Sequence, residues 1–279
     1  MTLKLAGRTA FITGGANGIG LGIARALAGA GVKLALADID GDALEIARAE
    51  LLPLAAIETF VLDVRDREEF ARAAKDVEDR LGPVTLLFNN AGVAGGAPVS
   101  RLSYELWDWG VDINLHGVFN GIRTFLPRML ELGEGGYIVN TSSGAGLVAG
   151  AGAGVLYQST KFAVVGLSEA LAIELADEDI GVSVLCPGPV ATNIIERTRA
   201  LQPSVTRSMT REQLEAARAK SGHMKSFLAG GASPDAVGRH VLEAMSERRL
   251  YVHTDPALAS LVEERARAII EAMPTQMLI

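Results

Sequence analysis

The feature that most constrains this chain is a regular alternation of short apolar runs with longer stretches of helical spacing, sustained over most of its length. The runs at 9–13, 32–37, 57–62, 84–88, 137–140 and 182–185 read as strands. Between them, 19–27, 41–52, 67–81, 103–132 and 155–176 carry apolar residues at helical spacing. A chain that repeats strand and helix in this way builds a parallel sheet with right-handed crossovers, and such a sheet must be covered on both faces. The expected fold is therefore α/β: a doubly wound parallel sheet with helices on both faces, in one domain spanning 1–279.

Three places modify the pattern. Pro127 falls inside the long helical stretch and is expected to kink it or end it early. From 188 to 231 the alternation loosens, with no strand and one helix near 210–228, and a long excursion in a compact domain reads as a lid or binding loop. Order then returns with a helix capped by Ser233 before Pro234, a short strand at 250–253 and a last helix after Pro256.

Composition narrows the function. A formal charge of -7 without a basic cluster argues against nucleic acid or an anionic membrane as partner. The single cysteine, Cys186, permits no intramolecular disulfide, and no Cys/His cluster offers a metal site. No apolar run approaches the roughly 20 residues that span a bilayer. These features lead us to expect a cytoplasmic globular protein.

The first strand is followed by Thr13-Gly14-Gly15-Ala16-Asn17-Gly18-Ile19-Gly20, which opens a helix. Glycines let a backbone approach a pyrophosphate, and a helix N-terminus offers free N–H groups and the positive end of its dipole. Asp38 ends the second strand, where an acid accepts hydrogen bonds from the hydroxyls of an adenosine ribose and repels a 2′-phosphate, favouring NAD over NADP. Further on, Tyr157 and Lys161 stand four residues apart on one helix face, with Ser143 just upstream. A lone Tyr-x-x-x-Lys arises by chance in roughly one such chain in ten, so the pair takes its meaning from its surroundings.

Those surroundings are TGGANGIG at 13–20, Asp63-Val64, NNAG at 89–92, Asn114, Ser143, Tyr157, Lys161 and PGPVAT at 187–192. In this order they resemble the short-chain dehydrogenase/reductase family, over roughly Leu5 to Thr192 plus the C-terminal strand. The resemblance implies a catalytic set of Asn114, Ser143, Tyr157 and Lys161. Tyr157 would move the proton at the substrate oxygen, and Lys161 would bind the nicotinamide ribose and lower the phenol pKa. Ser143 would hold the carbonyl, and Asn114 would shape a water relay. Ser142 is a rival for the serine role, but Ser143 matches the second serine of the family's pair. The Ser143-to-Tyr157 spacing is one residue longer than in many members, a length that the glycines of 144–154 can absorb.

The same resemblance implies that NAD is held by Gly14, Asn17, Gly18, Ile19 and Gly20 at the pyrophosphate, Asp38 at the ribose, and Asp63 and Val64 at the adenine. Asn90, Ala91 and Gly92 would line the adenosine side, with Asn89 and Asn90 equally suited to stitching strands. Pro187, Gly188, Val190 and Thr192 would meet the carboxamide, beside Tyr157 and Lys161. The implied reaction is interconversion of a secondary alcohol and a ketone. The apolar set Ile194, Ile195, Leu201, Met209, Met224, Phe227 and Leu228 suits either a bulky hydrophobic substrate or subunit packing. FNNAG, LPRML and GLVAG are also similar to bacterial dehydrogenases of bulky aryl alcohols.

A homotetramer or homodimer is implied as well, built on the long helix and the Tyr157 helix, where Ala163, Gly166 and Ala170 permit close approach. His116, Trp107 and Trp109 read as structural, and Met277-Leu278-Ile279 as a tail that docks or stays free. A non-catalytic NAD sensor and an NAD-retaining isomerase or dehydratase are alternatives on the same fold.

Overall fold

The computed structural model describes residues 4–95, 97–150, 153–203 and 210–277. Seven strands form one parallel sheet in the order β3-β2-β1-β4-β5-β6-β7. They are β1 (Thr9–Thr13), β2 (Lys33–Asp38), β3 (Ile57–Val61), β4 (Val84–Asn89), β5 (Gly136–Thr141), β6 (Ile180–Cys186) and β7 (Tyr251–His253). Each lies within two residues of an apolar run read from the sequence. The order reverses between β1 and β4, which pair in parallel, so the loops leaving these two strands diverge and open a crevice.

Alternate residues of each strand face opposite layers. Phe11 belongs to one core with Phe60, Phe70 and Phe125, the Phe125 ring centroid lying 4.5 Å away. Its neighbours Ala10 and Ile12 belong to the other core, with Ile23, Leu27 and Val241. The first layer comprises α3 (Arg67–Leu81), α4 (Tyr104–Val111), α5 (Gly117–Leu132) and α6 (Val155–Glu174). The second comprises α1 (Gly18–Gly29), α2 (Gly41–Leu51) and α9 (Pro234–Ser246). Trp109 is buried in the first core and Trp107 packs against it, as a structural role requires.

The structure corrects three local expectations. Pro127 does not end its helix, which continues to Leu132. The break lies instead at Asp112–His116, a π-helical segment between α4 and α5 whose extra residue is invisible to a periodicity of 3.6. The excursion after β6 holds two helices rather than one, α7 (Ile194–Leu201) and α8 (Arg211–Ala229), and Val190 bridges Ala232 in parallel across its base. Ser233 caps α9 as expected, accepting a bond from the Ala236 N–H at 3.2 Å. A final helix, α10 (Ala259–Glu271), buries none of its residues; Met277 is exposed, and Leu278 and Ile279 lie outside the described residues, as does Met209.

The tightest helix contact joins α1 to α9. A methyl group on Gly22 would sit 2.1 Å from the Pro234 carbonyl oxygen, and one on Gly238 would sit 2.1 Å from the Gly22 oxygen. Both obstacles are backbone and cannot rotate away. Gly22→Ala or Gly238→Ala should therefore cost about 1–3 kcal/mol through overpacking, read as a lower urea midpoint. An unchanged midpoint would show that the two helices part freely.

Candidate active site

The crevice between β1 and β4 widens into a cleft roofed by α7. At its floor the glycine turn runs from Thr13 into α1. Gly14 and Gly18 adopt φ of 62° and 52°, a left-handed backbone that disfavours side chains. Asn17 is the N-cap of α1 without a side-chain cap bond, and its buried Nδ2 has no partner. The first turn of α1 carries no acid, so its orphan N–H groups face the cleft with their dipole unopposed. Ile19 also lines the cleft, whereas Gly20 is buried at the foot of the turn. A phosphate group would satisfy these donors.

Asp38, only 6% exposed, stands at the end of β2 on the cleft wall. Its carboxylate accepts from the Ala16 and Asp40 N–H groups, each at 3.2 Å, and from the Arg197 guanidinium at 2.8 Å. Arg197 also reaches Asp40 at 3.0 Å. Asp63 and Val64 line the next stretch of wall. Burial raises the Asp63 pKa, but hydrogen bonds from the Arg65 side chain and N–H outweigh this and hold it below the usual range.

Asn90, Ala91 and Gly92 line the wall after β4. The Asn90 and Ala91 N–H groups donate to the Thr13 hydroxyl at 3.0 and 3.1 Å, and the Asn90 amide donates to the Thr13 and Gly14 carbonyls. Asn90 therefore ties β4 to the glycine turn as well as facing the cleft. Asn89 lies wholly in the sheet, donating to Asn140 at 2.9 Å.

At the inner end α6 presents Tyr157 and Lys161. Lys161 is 3% exposed and donates to the Thr141 carbonyl at 2.9 Å. Burial pulls its ammonium down to about 8. Its nitrogen sits 5.7 Å from the centre of the Tyr157 ring. Burial pushes the Tyr157 phenol above its ordinary value, while a hydrogen bond with Ser143 acts in the opposite direction. So in the polypeptide alone the ammonium does not lower the phenol; desolvation wins.

The two serines are divided by their partners. The Ser142 hydroxyl is buried and donates to the Lys161 carbonyl at 2.7 Å, whereas the Ser143 hydroxyl accepts from the Ala145 N–H at 3.2 Å. Asn114, in the π-helical segment and 1% exposed, clamps the Val93 backbone with both amide atoms, at 2.8 and 3.0 Å, and donates to Thr160 at 3.2 Å. A methyl on Gly92 would lie 3.2 Å from the Asn114 oxygen and 3.4 Å from the Lys161 nitrogen, which fixes how near these two groups stand.

Pro187 and Thr192 complete the cleft beyond β6. Gly188 and Val190 are turned away from it: Gly188 packs against Asp255 and donates to Thr254 at 3.1 Å, and Val190 is buried in the core. Of the apolar excursion, Ile194 and Leu201 face the cleft, while Phe227 on α8 is exposed to solvent. Sequence reasoning missed Arg197 and Thr198, whose hydroxyl accepts from the Ala94 N–H at 2.8 Å. Nothing in a polar, weakly periodic segment marks either residue. None of the histidines lines the cleft: His116 pairs with Asp112 at 2.8 Å on the surface, and the described residues contain no metal-binding cluster.

The residues present thus fit a group with a diphosphate and a ribose, with a phenol, a hydroxyl and an ammonium at the far end. Comparison with known proteins agrees. The profile of the family described as "short chain dehydrogenase" matches residues 8–202. The chain is 37% identical over 270 residues to the C alpha-dehydrogenase of Sphingobium sp. strain SYK-6, covering 95% of this chain and 86% of that protein. It is 36% identical over 230 residues to 3beta-hydroxysteroid dehydrogenase 2 of Eggerthella lenta, covering 77% of this chain and 87% of that protein. The crystal structure of a short chain dehydrogenase/reductase from Burkholderia phymatum in complex with NAD superposes with a TM-score of 0.89 at 34% identity, over 99% of each chain. With a profile match over more than half its length and relatives of this identity and coverage, the chain belongs to the short-chain dehydrogenase/reductase family.

Proposed function

We propose that this protein is an NAD-dependent oxidoreductase that interconverts a secondary alcohol and a ketone, with a bulky hydrophobic or aromatic substrate. The observation that carries the reading is Tyr157 on the cleft wall with the buried Lys161 ammonium 5.7 Å from the centre of its ring. NAD would lie along the glycine turn, Asp38 and the 90–92 wall, and when bound it would supply the hydride acceptor. The NAD-bound relative from Burkholderia phymatum supports that choice.

Within this reading Tyr157 takes the alcohol proton or returns it to the ketone oxygen. Ser143 shares the substrate oxygen and holds the phenol in line. Lys161 donates to the cofactor ribose through protons that Thr141 does not take. Because burial alone raises the Tyr157 pKa, the phenol becomes a useful base only when positive charge accumulates beside it. Asn114 positions the loop after β4 and stands close enough to Lys161 to support a proton path to solvent. Ile194 and Leu201 of the excursion at 188–231 supply an apolar wall for the substrate. A steroid, as named for the Eggerthella relative, is a bulky alcohol of that kind.

Self-association belongs to the same reading. Gly166 and Ala170 on α6 are exposed, and Phe119 on α5 and Ile173 on α6 leave large apolar surface uncovered, as a homodimer or homotetramer requires. No helix of the described residues is long and apolar enough to cross a membrane. A cytoplasmic setting suits the buried free thiol of Cys186.

Assay of NADH formation across a panel of secondary alcohols tests the activity. Tyr157→Phe should lose about 10²–10⁴-fold in kcat while NADH affinity holds. Retained turnover would remove the proposed acid/base, and NADH binding without turnover by the native protein on any alcohol would favour a sensor.

A second outcome concerns size: aryl ketones should exceed acetone-sized ones in kcat/KM, and the reverse ranking would assign the apolar excursion to packing. A third concerns pH. The folded-state pKa of Lys161 lies below the ordinary lysine value, at about 8, so its charge is present below that pH and lost above it. NADH affinity should therefore weaken as pH rises from about 7 to about 9. A flat titration would show that the ribose does not need the ammonium.

A further inference from the structure

Asp38 is the acid that a cofactor ribose would need, yet both of its oxygens are already in use. Oδ2 accepts from the Ala16 N–H at 3.2 Å, and Oδ1 accepts from the Asp40 N–H at 3.2 Å and from Arg197 Nη2 at 2.8 Å. Two of these donors are backbone groups fixed by the glycine turn and by the entry to α2. The third is a side chain on α7, outside the sheet, and it makes the shortest bond. A carboxylate offers about four acceptor sites and three are filled, so a ribose diol donating two bonds must displace one donor, and the guanidinium is the one not fixed by backbone.

The contact does more than neutralise charge. Arg197 bridges Asp38 and Asp40, reaching the latter at 3.0 Å, and so ties α7 to the end of β2 across the mouth of the cleft. Its side chain is 29% exposed and that of Asp38 6%, so the pair is partly desolvated. The remaining ties of α7 lead elsewhere: Thr198 accepts from the Ala94 N–H, Arg199 donates to Ser221 at 2.7 Å, and Glu196 pairs with Lys225. Release of Arg197 would therefore free one corner of α7 without detaching the helix.

We propose that Arg197 competes with the cofactor's adenosine ribose for Asp38, and thereby latches α7 across the adenosine half of the cleft until the dinucleotide enters. The proposal rests on the NAD reading given above. Arg197 is a positioning residue in this scheme. It sets the free energy of cofactor entry and couples that entry to the helix whose Ile194 and Leu201 line the substrate side.

The test measures NADH affinity by fluorescence titration for the full-length native protein, Arg197→Met and Arg197→Lys, at about 0.05 M and about 0.5 M salt. Methionine keeps much of the apolar stem but removes the competing charge. Arg197→Met should bind NADH about two- to tenfold more tightly than the native protein at low salt, with Arg197→Lys between them. The gap should narrow at high salt, because the guanidinium side of the pair is open to counterions. A role confined to packing would not produce that salt dependence.

Hydrogen exchange supplies a second readout. Amides of 194–201 in the cofactor-free protein should exchange faster in Arg197→Met than in the native chain. Unchanged or weaker NADH binding by a folded Arg197→Met would overturn the proposal and make the arginine a cofactor ligand or a bystander. Failure of the native protein to bind NADH at all would instead overturn the NAD reading, and the latch with it.

Discussion

The site depends on one constraint: an ammonium kept out of water. Lys161 is 3% exposed and its nitrogen donates to the Thr141 carbonyl at the end of β5. A buried charge with so few partners is costly, and the protein reduces that cost by letting the lysine lose its proton more readily, near pH 8. Holding such a group in place requires a rigid frame around it. Ser142 locks the Lys161 carbonyl, and a buried ladder runs from Asn89 through Asn140 to Ser168, fastening β4 and β5 to α6. The helix that carries Tyr157 and Lys161 is thus bonded to the sheet through polar groups as well as apolar packing.

That frame explains a division of labour. Polypeptide groups alone leave Tyr157 with a raised pKa, because removal of water from the phenol outweighs the bond from Ser143. The π-helical segment belongs to the frame: it turns Asn114 inward to clamp Val93, so the loop after β4 stands at a fixed distance from Lys161. A regular helix would carry the following residues round by a different angle.

The wall opposite is built differently. The glycine turn, Asp38 and the 90–92 segment are rigid products of the sheet, whereas α7 is attached by a few polar contacts, among them the Arg197 bridge to Asp38 and Asp40. One half of the cleft is bonded into the core and the other rests on it. The contrast leaves α7 the less firmly bonded wall of the cleft.

Much of this was legible in the sequence because the relevant signals are local. Strand and helix periodicity gave the alternation, and handedness and coverage rules turned it into a doubly wound sheet whose strands lie within two residues of the expected runs. Gly14, Asn17, Asp38, Asn90, Tyr157 and Lys161 line the cleft as expected, because their positions follow from strand ends and a helix face. The PGPVAT motif divides in space: Pro187 and Thr192 line the cleft, while Gly188 donates to Thr254 and Val190 is buried in the core.

The tertiary structure decided what depends on groups distant in sequence. It separated Ser142 from Ser143 by giving the first a partner on α6 and the second a partner in its own loop, and it set a π-helical segment within the long helix. It also brought Arg197 to Asp38 across 159 positions of the chain. The sequence by itself determined the architecture and where the candidate site lies in it, since periodicity and motif order are properties of neighbouring residues. Only the folded chain could show the state of that chemistry, because desolvation and ion pairing are set by residues that neighbour one another in space.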